Sequence, residues 1–583
     1  DLAALAPLLG LTAVATALGT LAVFAVPAIY PALRLGAGGL VAEGAAALLT
    51  IGLPSAAMGA LFSHLIQAAK GPRGGIGRAL AANTAGGAIA PLAVGILLIP
   101  SLGVVAGLVV LSAVYAAGSL ALLARPGARA LPRAALALAG PAVLAALFAG
   151  PFDWRLVRPP AGGTVLAHVE GVAASASVVA EPGGHRHLRV NGTYTMGGTA
   201  SYALDRIQGH LALLQHPAPR RALFLGVGTG ATLASGARWP GLEVVGVDLS
   251  PEVLELIDAF PAVARDLSQS AGLRTGAADA RRYVRAAEGS YDLILADNYH
   301  PAKDGAALLY TVEHYRAIRA RLAPGGVAVQ WLPLHQLDLA GLRLITRTFL
   351  EVFPGARLHM GNYNLVTPIL ALVARPGEGP PRLGDWVGRQ MPDDLVAELR
   401  SIRFDSPFAL AGGFLAGPEA LTEFAGPGPL NTDDHPRLLF EAPETVYRAL
   451  APAAERLLTL VRDLPRLPRQ AVDFGPEAGA FGIRLERYWQ ARDAFLTLGA
   501  SVNVTGTVNH DARLLAPPLI EIVRHAPDFR PAYDPVLSMA RRVAATEPQY
   551  AMNLLEGLDG AHPDRADARR LRAEIARVAG LSN

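Results

Sequence analysis

The chain has 583 residues, of which 52% are hydrophobic and only 17% charged, with a formal net charge of +3. That length exceeds a single domain, and so little charge over so long a chain excludes an enzyme with solvated surface throughout. Basic residues are scattered among acids without forming a block, which argues against a nucleic-acid partner, and the absence of cysteine excludes disulfides and thiolate metal sites.

The apolar excess lies at the start. No Asp, Glu, Lys or Arg occurs in 2–33, 44–69, 79–124 or 134–152. A membrane crossing takes roughly 20 apolar residues, and Pro100-Ser-Leu-Gly103 divides 79–124, so about five spans are expected within residues 1–152. A soluble bundle would need a solvated face, which these runs lack. Asp1, rather than Met, leads almost directly into an apolar run with no charged leader, the pattern of a trimmed membrane protein rather than of a signal peptide. Lys70, Arg73 and Arg78 mark one inner loop, and Arg125, Arg129 and Arg133 mark another. A crossing by 134–152 would carry everything after it outside. A re-entrant 134–152, which contains Gly140-Pro141 and precedes Arg155 and Arg158, would leave it inside.

Short alternating runs at 165–169, 176–179 and 187–190, with turn residues at 181–184 and 191–192, predict a small antiparallel β unit over 160–196. A helix is expected over 200–216. From Arg221 to about Arg375 apolar runs alternate with amphipathic ones, the signature of a mainly parallel sheet covered on both sides, in a domain spanning 197–376. A Pro/Gly-rich linker at 376–382 leads to a mixed extension over 383–443 and a helical tail over 444–583. Asp433, Asp434 and His435 are metal-ligand types, but three neighbours on an extended segment diverge, so a structural turn and no metal site are expected there. His185 and His187 alternate on a strand and read as a surface pair.

The stretch 222–231, Ala-Leu-Phe-Leu-Gly-Val-Gly-Thr-Gly-Ala, carries the most information, together with 244–248, Val-Val-Gly-Val-Asp. An apolar run breaking into Gly226, Gly228 and Gly230, then a second run ending in Asp248, is what a nucleoside-binding βαβ unit requires. The glycines admit close approach of the backbone to a ligand, and the acid can accept two hydrogen bonds from ribose hydroxyls. This spacing also fits a dinucleotide site. Asp279 after Gly276-Ala-Ala, Asp297 at the end of the run 291–297, and Leu-Ala-Pro-Gly-Gly-Val at 322–327 favour an adenosyl-sulfonium ligand instead. The expected architecture is an N-terminal α-helical transmembrane bundle, a small β unit, an α/β Rossmann-like domain of S-adenosylmethionine-methyltransferase type, and a C-terminal helical tail.

With Leu188-Arg-Val-Asn-Gly192, Leu213-Leu-Gln-His-Pro217, the glycine loop, the three acids, Leu309-Tyr-Thr311 with Tyr315, and Pro324 to Gln330, residues 188–375 resemble spermidine synthases, the polyamine aminopropyltransferases. The runs 53–59, 82–86, 99–103, 330–334 and 431–436 resemble a membrane-fused branch of that family, so the likeness covers roughly residues 40–445. It implies transfer of an aminopropyl group from decarboxylated S-adenosylmethionine to a small-molecule amine, with Asp297 as the catalytic carboxylate beside the sulfonium. It further implies Gly226, Gly228, Gly230, Asp248 (ribose) and Asp279 (adenine) as cofactor-binding residues, and His300, Tyr315 and Gln330 as substrate-binding ones. Plainer roles stand beside these: Asp297 as a turn cap, and Tyr315 and Gln330 as packing residues.

Two other functions remain open: a methyltransferase using intact S-adenosylmethionine, and a non-catalytic nucleoside- or polyamine-binding transport or sensing protein. Departures from the family bear on the acceptor. His300 stands where an acid usually precedes proline, Thr229 where the glycine loop usually carries an acid, and Leu204, Asp205 and Arg206 where a Tyr-Gln-Glu is usual. Putrescine is therefore expected to be a poor acceptor, with activity rising through roughly pH 6 to 8 as His300 loses its proton. Arg281 and Arg282 are expected at a solvated helix start. The expected partners are the amine and the membrane, without nucleic acid and with homo-oligomerisation open. The expected location is multi-pass in a bacterial inner membrane, with the catalytic domain on the cytoplasmic side where the nucleoside co-substrate is made.

Overall fold

The computed structural model describes residues 2–70, 75–123, 134, 138–144, 155–192, 194–303, 305–447, 450–475, 479–502 and 506–580. Among them four helices are long and apolar enough to cross a membrane: α1 (Ala4–Gly36), α2 (Gly39–Ala68), α3 (Gly75–Leu102) and α4 (Val104–Leu123). The break expected between the last two falls at Gly103, whose φ of 84° is a conformation that glycine adopts without a side-chain clash. The fifth expected span, 134–152, lies largely outside the described residues.

Polar side chains in these apolar helices are satisfied locally. Thr12, Thr16 and Thr20 each donate to the carbonyl four residues earlier, at 2.8–2.9 Å. Ser112 donates to Ala13 O at 2.9 Å and Ser119 to Ala6 O at 2.6 Å, which fixes α4 antiparallel to α1. In hydrocarbon such inter-helix bonds hold packed helices together where no hydrophobic driving force exists. Gly103 therefore lies toward the C-terminal end of α1.

The same unit holds a four-stranded antiparallel sheet in the order β1 (Thr164–Glu170), β2 (Ser175–Ala180), β3 (Arg186–Val190) and β4 (Tyr194–Gly198). At the end of β1, Glu170 accepts a hydrogen bond from the Val104 N–H, the first amide of α4. His168 donates to its other oxygen at 3.0 Å, and that bond holds the Glu170 carboxyl below its usual range. Arg158 donates to Phe24 O of α1 at 2.8 Å.

The second unit, 200–249 with 260–583, is built on an eight-stranded sheet in the order β12-β10-β11-β9-β8-β5-β6-β7. The strands are β5 (Arg221–Leu225), β6 (Glu243–Asp248), β7 (Leu273–Ala277), β8 (Tyr291–Ala296), β9 (Leu322–Pro333), β10 (Arg357–Met360), β11 (Ile369–Ala374) and β12 (Phe414–Ala416). β5 and β8 are near-continuous buried apolar runs, as central parallel strands must be. From β7 to β9 all pairings are parallel, but β9-β11, β11-β10 and β10-β12 are antiparallel. The sheet is therefore mixed, with four parallel pairings and three antiparallel ones. Its last strand comes from beyond 376–382, so the sheet continues through the segment that reads as a linker. Pro381 O and the Leu383 N–H in that segment are bonded to the backbone of Asp473 at 2.9 and 2.8 Å.

Helices α5 (Tyr202–Leu214), α6 (Pro261–Gln269), α7 (Ala280–Ala286), α8 (Val312–Ala320) and α9 (Asp393–Ser401) belong to this unit. Toward the end of the tail five helices follow one another: α10 (Gly479–Ser501), α11 (Val508–His525), α12 (Arg530–Val543), α13 (Pro548–Ala561) and α14 (Asp567–Ala579). The 431–437 segment is a strap. Buried Asn431 donates to Ala307 O and Tyr310 O, both at 3.1 Å, and accepts from the Leu438 N–H. Asp433 takes the Arg281 guanidinium at 2.5 Å and the Thr311 hydroxyl at 2.8 Å. Arg281, expected in solvent, is thus an ion-pair partner of this strap and also donates to Leu308 O.

Candidate functional site

β5 has β6 on one side and β8 on the other, and the crossover direction reverses between them. A crevice opens beyond the carboxyl ends of strands at such a switch point. The glycine loop leaves β5 there. Gly226, Gly228 and Gly230 have φ of 92°, 54° and 80°, a region in which a side chain is strained. A Cβ on Gly226 would also lie 3.0 Å from the Asp297 Cβ, so the loop and the end of β8 approach as closely as backbone allows.

Asp248 ends β6 and is 6% exposed. Its Oδ2 accepts from the Val227 and Gly228 N–H groups at 3.0 and 3.1 Å. The acid expected on ribose thus also braces the glycine loop. Asp279 stands two residues past β7, exposed, with Oδ1 capping α7 through the Arg282 N–H at 2.9 Å. The Ala278 N–H bonds Asp248 O at 2.8 Å, which sets Asp279 at the edge of the same crevice.

Asp297 follows β8 directly. Burial pushes its carboxyl up to about 6, with the Asp248 charge acting in the same sense and the Asn298 N–H opposing. Gln330 and Tyr315 lie behind it. They are 1% and 0% exposed; the Gln330 amide donates to Asp297 O at 3.3 Å, and Tyr315 donates to Gln330 Oε1 at 3.5 Å. Both are part of the packed core and reach the crevice through the Asp297 backbone, the plainer of the two roles open to them. His300 accepts from the Ala302 N–H at 3.2 Å through Nδ1. Burial, then Lys303 and His335, lower its pKa from the ordinary histidine value.

One residue stands out that sequence reasoning passed over. Asp205 of α5 is pushed up to about 7 by burial and by the charge of Asp297, against a 3.0 Å hydrogen bond from the Ser201 hydroxyl. From the same helix, Gln208 accepts from Asn298 Nδ2 at 3.1 Å, directly beside Asp297. Ser201, Asp205 and Gln208 are spaced i, i+4, i+7, a polar stripe on a mostly buried helix, and that spacing is the signal that could have found it. Arg206 turns away into a charge cluster. It pairs with Asp266 of α6 and, at 2.8 Å, with Glu398 of α9, and Arg238 pairs with Asp266 at 2.7 Å. His210 accepts from Trp239 Nε1 at 3.2 Å and meets Glu398 at 3.0 Å, a neutral ring whose pKa burial lowers.

Asp205, Asp248 and Asp297 thus gather around the glycine loop at the switch point of a Rossmann-type sheet. Residues 203–357 match the family model described as "Spermine/spermidine synthase domain". Over 147 residues the chain is 36% identical to polyamine aminopropyltransferase 2 of Hyperthermus butylicus, covering 25% of this chain and 48% of that one. It is 30% identical over 174 residues to the polyamine aminopropyltransferase of Nitrosomonas europaea, covering 29% and 52%. A solved spermidine synthase of Thermotoga maritima aligns with a TM-score of 0.33 at 18% identity, covering 41% of this chain and 88% of that one. The chain spans about half the length of the first two relatives. The likeness to spermidine synthases thus lies in the segment that carries the glycine loop and the ends of β6 and β8.

Proposed function

We propose that the protein is a membrane-anchored aminopropyltransferase that uses decarboxylated S-adenosylmethionine and an amine acceptor. The observation that carries this reading is the convergence of Asp205, Asp248 and Asp297 on one crevice, with the first and last held well above the usual carboxylate range. Clustered acids in a poorly solvated place are stabilised by a cation. A ligand with a sulfonium and an ammonium answers that charge, whereas the extra carboxylate of intact S-adenosylmethionine opposes it.

The chemistry follows from the same residues. The glycine loop and Asp248 hold the nucleoside, and Asp205 and Asp297 face its charged arm and the incoming amine. The amine nitrogen attacks the carbon next to sulfur, and the C–S bond breaks with its electron pair passing to sulfur. Neutral methylthioadenosine leaves, and the proton released from nitrogen passes to the Asp297 carboxylate. A base with a pKa near 6 is ionised at neutral pH yet more basic than an ordinary aspartate, which suits proton acceptance. The four apolar helices support anchoring in a membrane.

The test is methylthioadenosine release by the full chain in detergent, supplied with decarboxylated S-adenosylmethionine and a panel of amines. Consumption of intact S-adenosylmethionine, with no methylthioadenosine formed from the decarboxylated form, would make it a methyltransferase instead.

A further inference from the structure

Beside the acidic stripe of α5 lies a cavity of about 370 Å³, walled by Leu204, Ile207 and Leu211 of that helix and closed by tail residues, among them Phe495 of α10 and Pro535 of α12. The spacing i, i+3, i+7 puts the three apolar residues on the stripe next to Ser201, Asp205 and Gln208, so α5 presents an acidic edge and an apolar edge side by side. Among the described residues no Asp or Glu lines the cavity, and the one charged lining residue, Arg403, is ion-paired with Asp534 at 2.8 Å. The two lining amides are committed too: Asn362 is bonded to Thr367 O and the Asn364 N–H, and Asn364 to the N–H groups of Val366 and Thr367.

We propose that the amine acceptor is a monoamine with a bulky apolar body, its nitrogen held between Asp205 and Asp297 and its body in this cavity; the inference rests on the aminopropyl-transfer reading above. A diamine entering the same way would bring a second ammonium into apolar surroundings that offer no carboxylate and already hold a guanidinium. Burying an unpaired charge is costly, so such a ligand is rejected. An apolar chain or ring meets no such penalty and gains by burial. The helical tail thereby acquires a role: residues well beyond the family-matched segment shape the acceptor site.

The experiment measures kcat/KM for methylthioadenosine release by the full chain with putrescine, butylamine and phenethylamine. Phenethylamine is expected to exceed putrescine by at least about tenfold, with butylamine between them. Ile207→Glu, which sets a carboxylate in the cavity, should shift the preference toward putrescine, and Ile207→Phe, which fills it, should lower phenethylamine use. Affinity for methylthioadenosine reports in each variant whether the nucleoside site is intact. Calorimetric binding of phenethylamine and putrescine to the wild-type protein saturated with methylthioadenosine gives a readout that needs no variant and no turnover, and phenethylamine should bind tighter. Efficient release with putrescine and poor release with phenethylamine would overturn the inference while leaving aminopropyl transfer standing. No release with any amine would overturn both.

Discussion

At pH 5 decarboxylated S-adenosylmethionine should bind at least about a hundredfold more weakly than at pH 8, whereas methylthioadenosine should bind almost equally at both. In the unliganded site Asp205 carries its proton up to a pH of about 7. A bound cation favours the charged carboxylate and returns it toward its ordinary value of about 4. At pH 5 the free site must then give up a proton held about two units above ambient pH, and each unit is about tenfold in affinity. Asp297, at about 6, adds up to about tenfold more if the same ligand relieves it too. Methylthioadenosine has neither sulfonium nor ammonium and so does not engage this linkage. The assay is isothermal titration of the full chain with both nucleosides at pH 5 and 8, in buffers of different ionisation enthalpy to count the protons released. In Asp205→Asn the pH effect on the cationic ligand should fall to the roughly tenfold share of Asp297. Equal pH dependence for the two nucleosides, or an unchanged dependence in Asp205→Asn, would refute the account of the carboxylates as a cation site.

The remaining predictions test single residues. Asp205→Asn should raise the Tm at pH 8 and leave it unchanged at pH 4. The folded-state pKa lies above the unfolded one, so stability falls as pH rises from about 4 to 7, and the ionised acid costs up to about 4 kcal/mol above that window. A fall in Tm at pH 8 would show that Asp205 is paired rather than exposed to repulsion. Asp297→Asn should lower turnover at least about a hundredfold while methylthioadenosine affinity stays within a few fold, since proton acceptance matters only in the transition state; parallel losses would make it a nucleoside ligand. Asp248→Ala should weaken methylthioadenosine binding by about 1.5 to 3 kcal/mol, because ribose contacts and the two amide bonds that shape the glycine loop go together. Gly226→Ala should cost about 1 to 2 kcal/mol of stability from its left-handed backbone and depress turnover by displacing Asp297, both read by thermal melts and steady-state rates.

Local signals carried much of this molecule. The glycines of the loop are legible because positive φ admits few other residues, and Asp248 and Asp297 because an acid closing an apolar strand has few structural uses. Asp205 was obscured because its meaning comes from a different element: only folding sets α5 beside the end of β8. The bond that His300 Nδ1 accepts from the Ala302 N–H of its own loop is a contact that sequence spacing does not encode. Arg281 was read as solvated because its partner, Asp433, is distant in sequence. The antiparallel half of the sheet was missed for the same reason, since β12 joins it from beyond a segment whose composition resembles a break.

The bond from the Val104 N–H to Glu170 has a consequence for the side of the bilayer on which this protein would work. It holds the β1–β4 sheet at the Gly103 end of the helices, the end away from Lys70. Over its 20 residues α4 carries the chain about 30 Å from that end. If the basic residues of 70–78 and 125–133 face the cytoplasm, the β1–β4 sheet stands on the opposite face. Because the chain has no native cysteine, single cysteines at Lys70 and Glu181 would report sidedness cleanly. A membrane-impermeant maleimide applied to intact cells should label the Glu181 site alone, and labelling of neither or of both would break the link between that hydrogen bond and the topology.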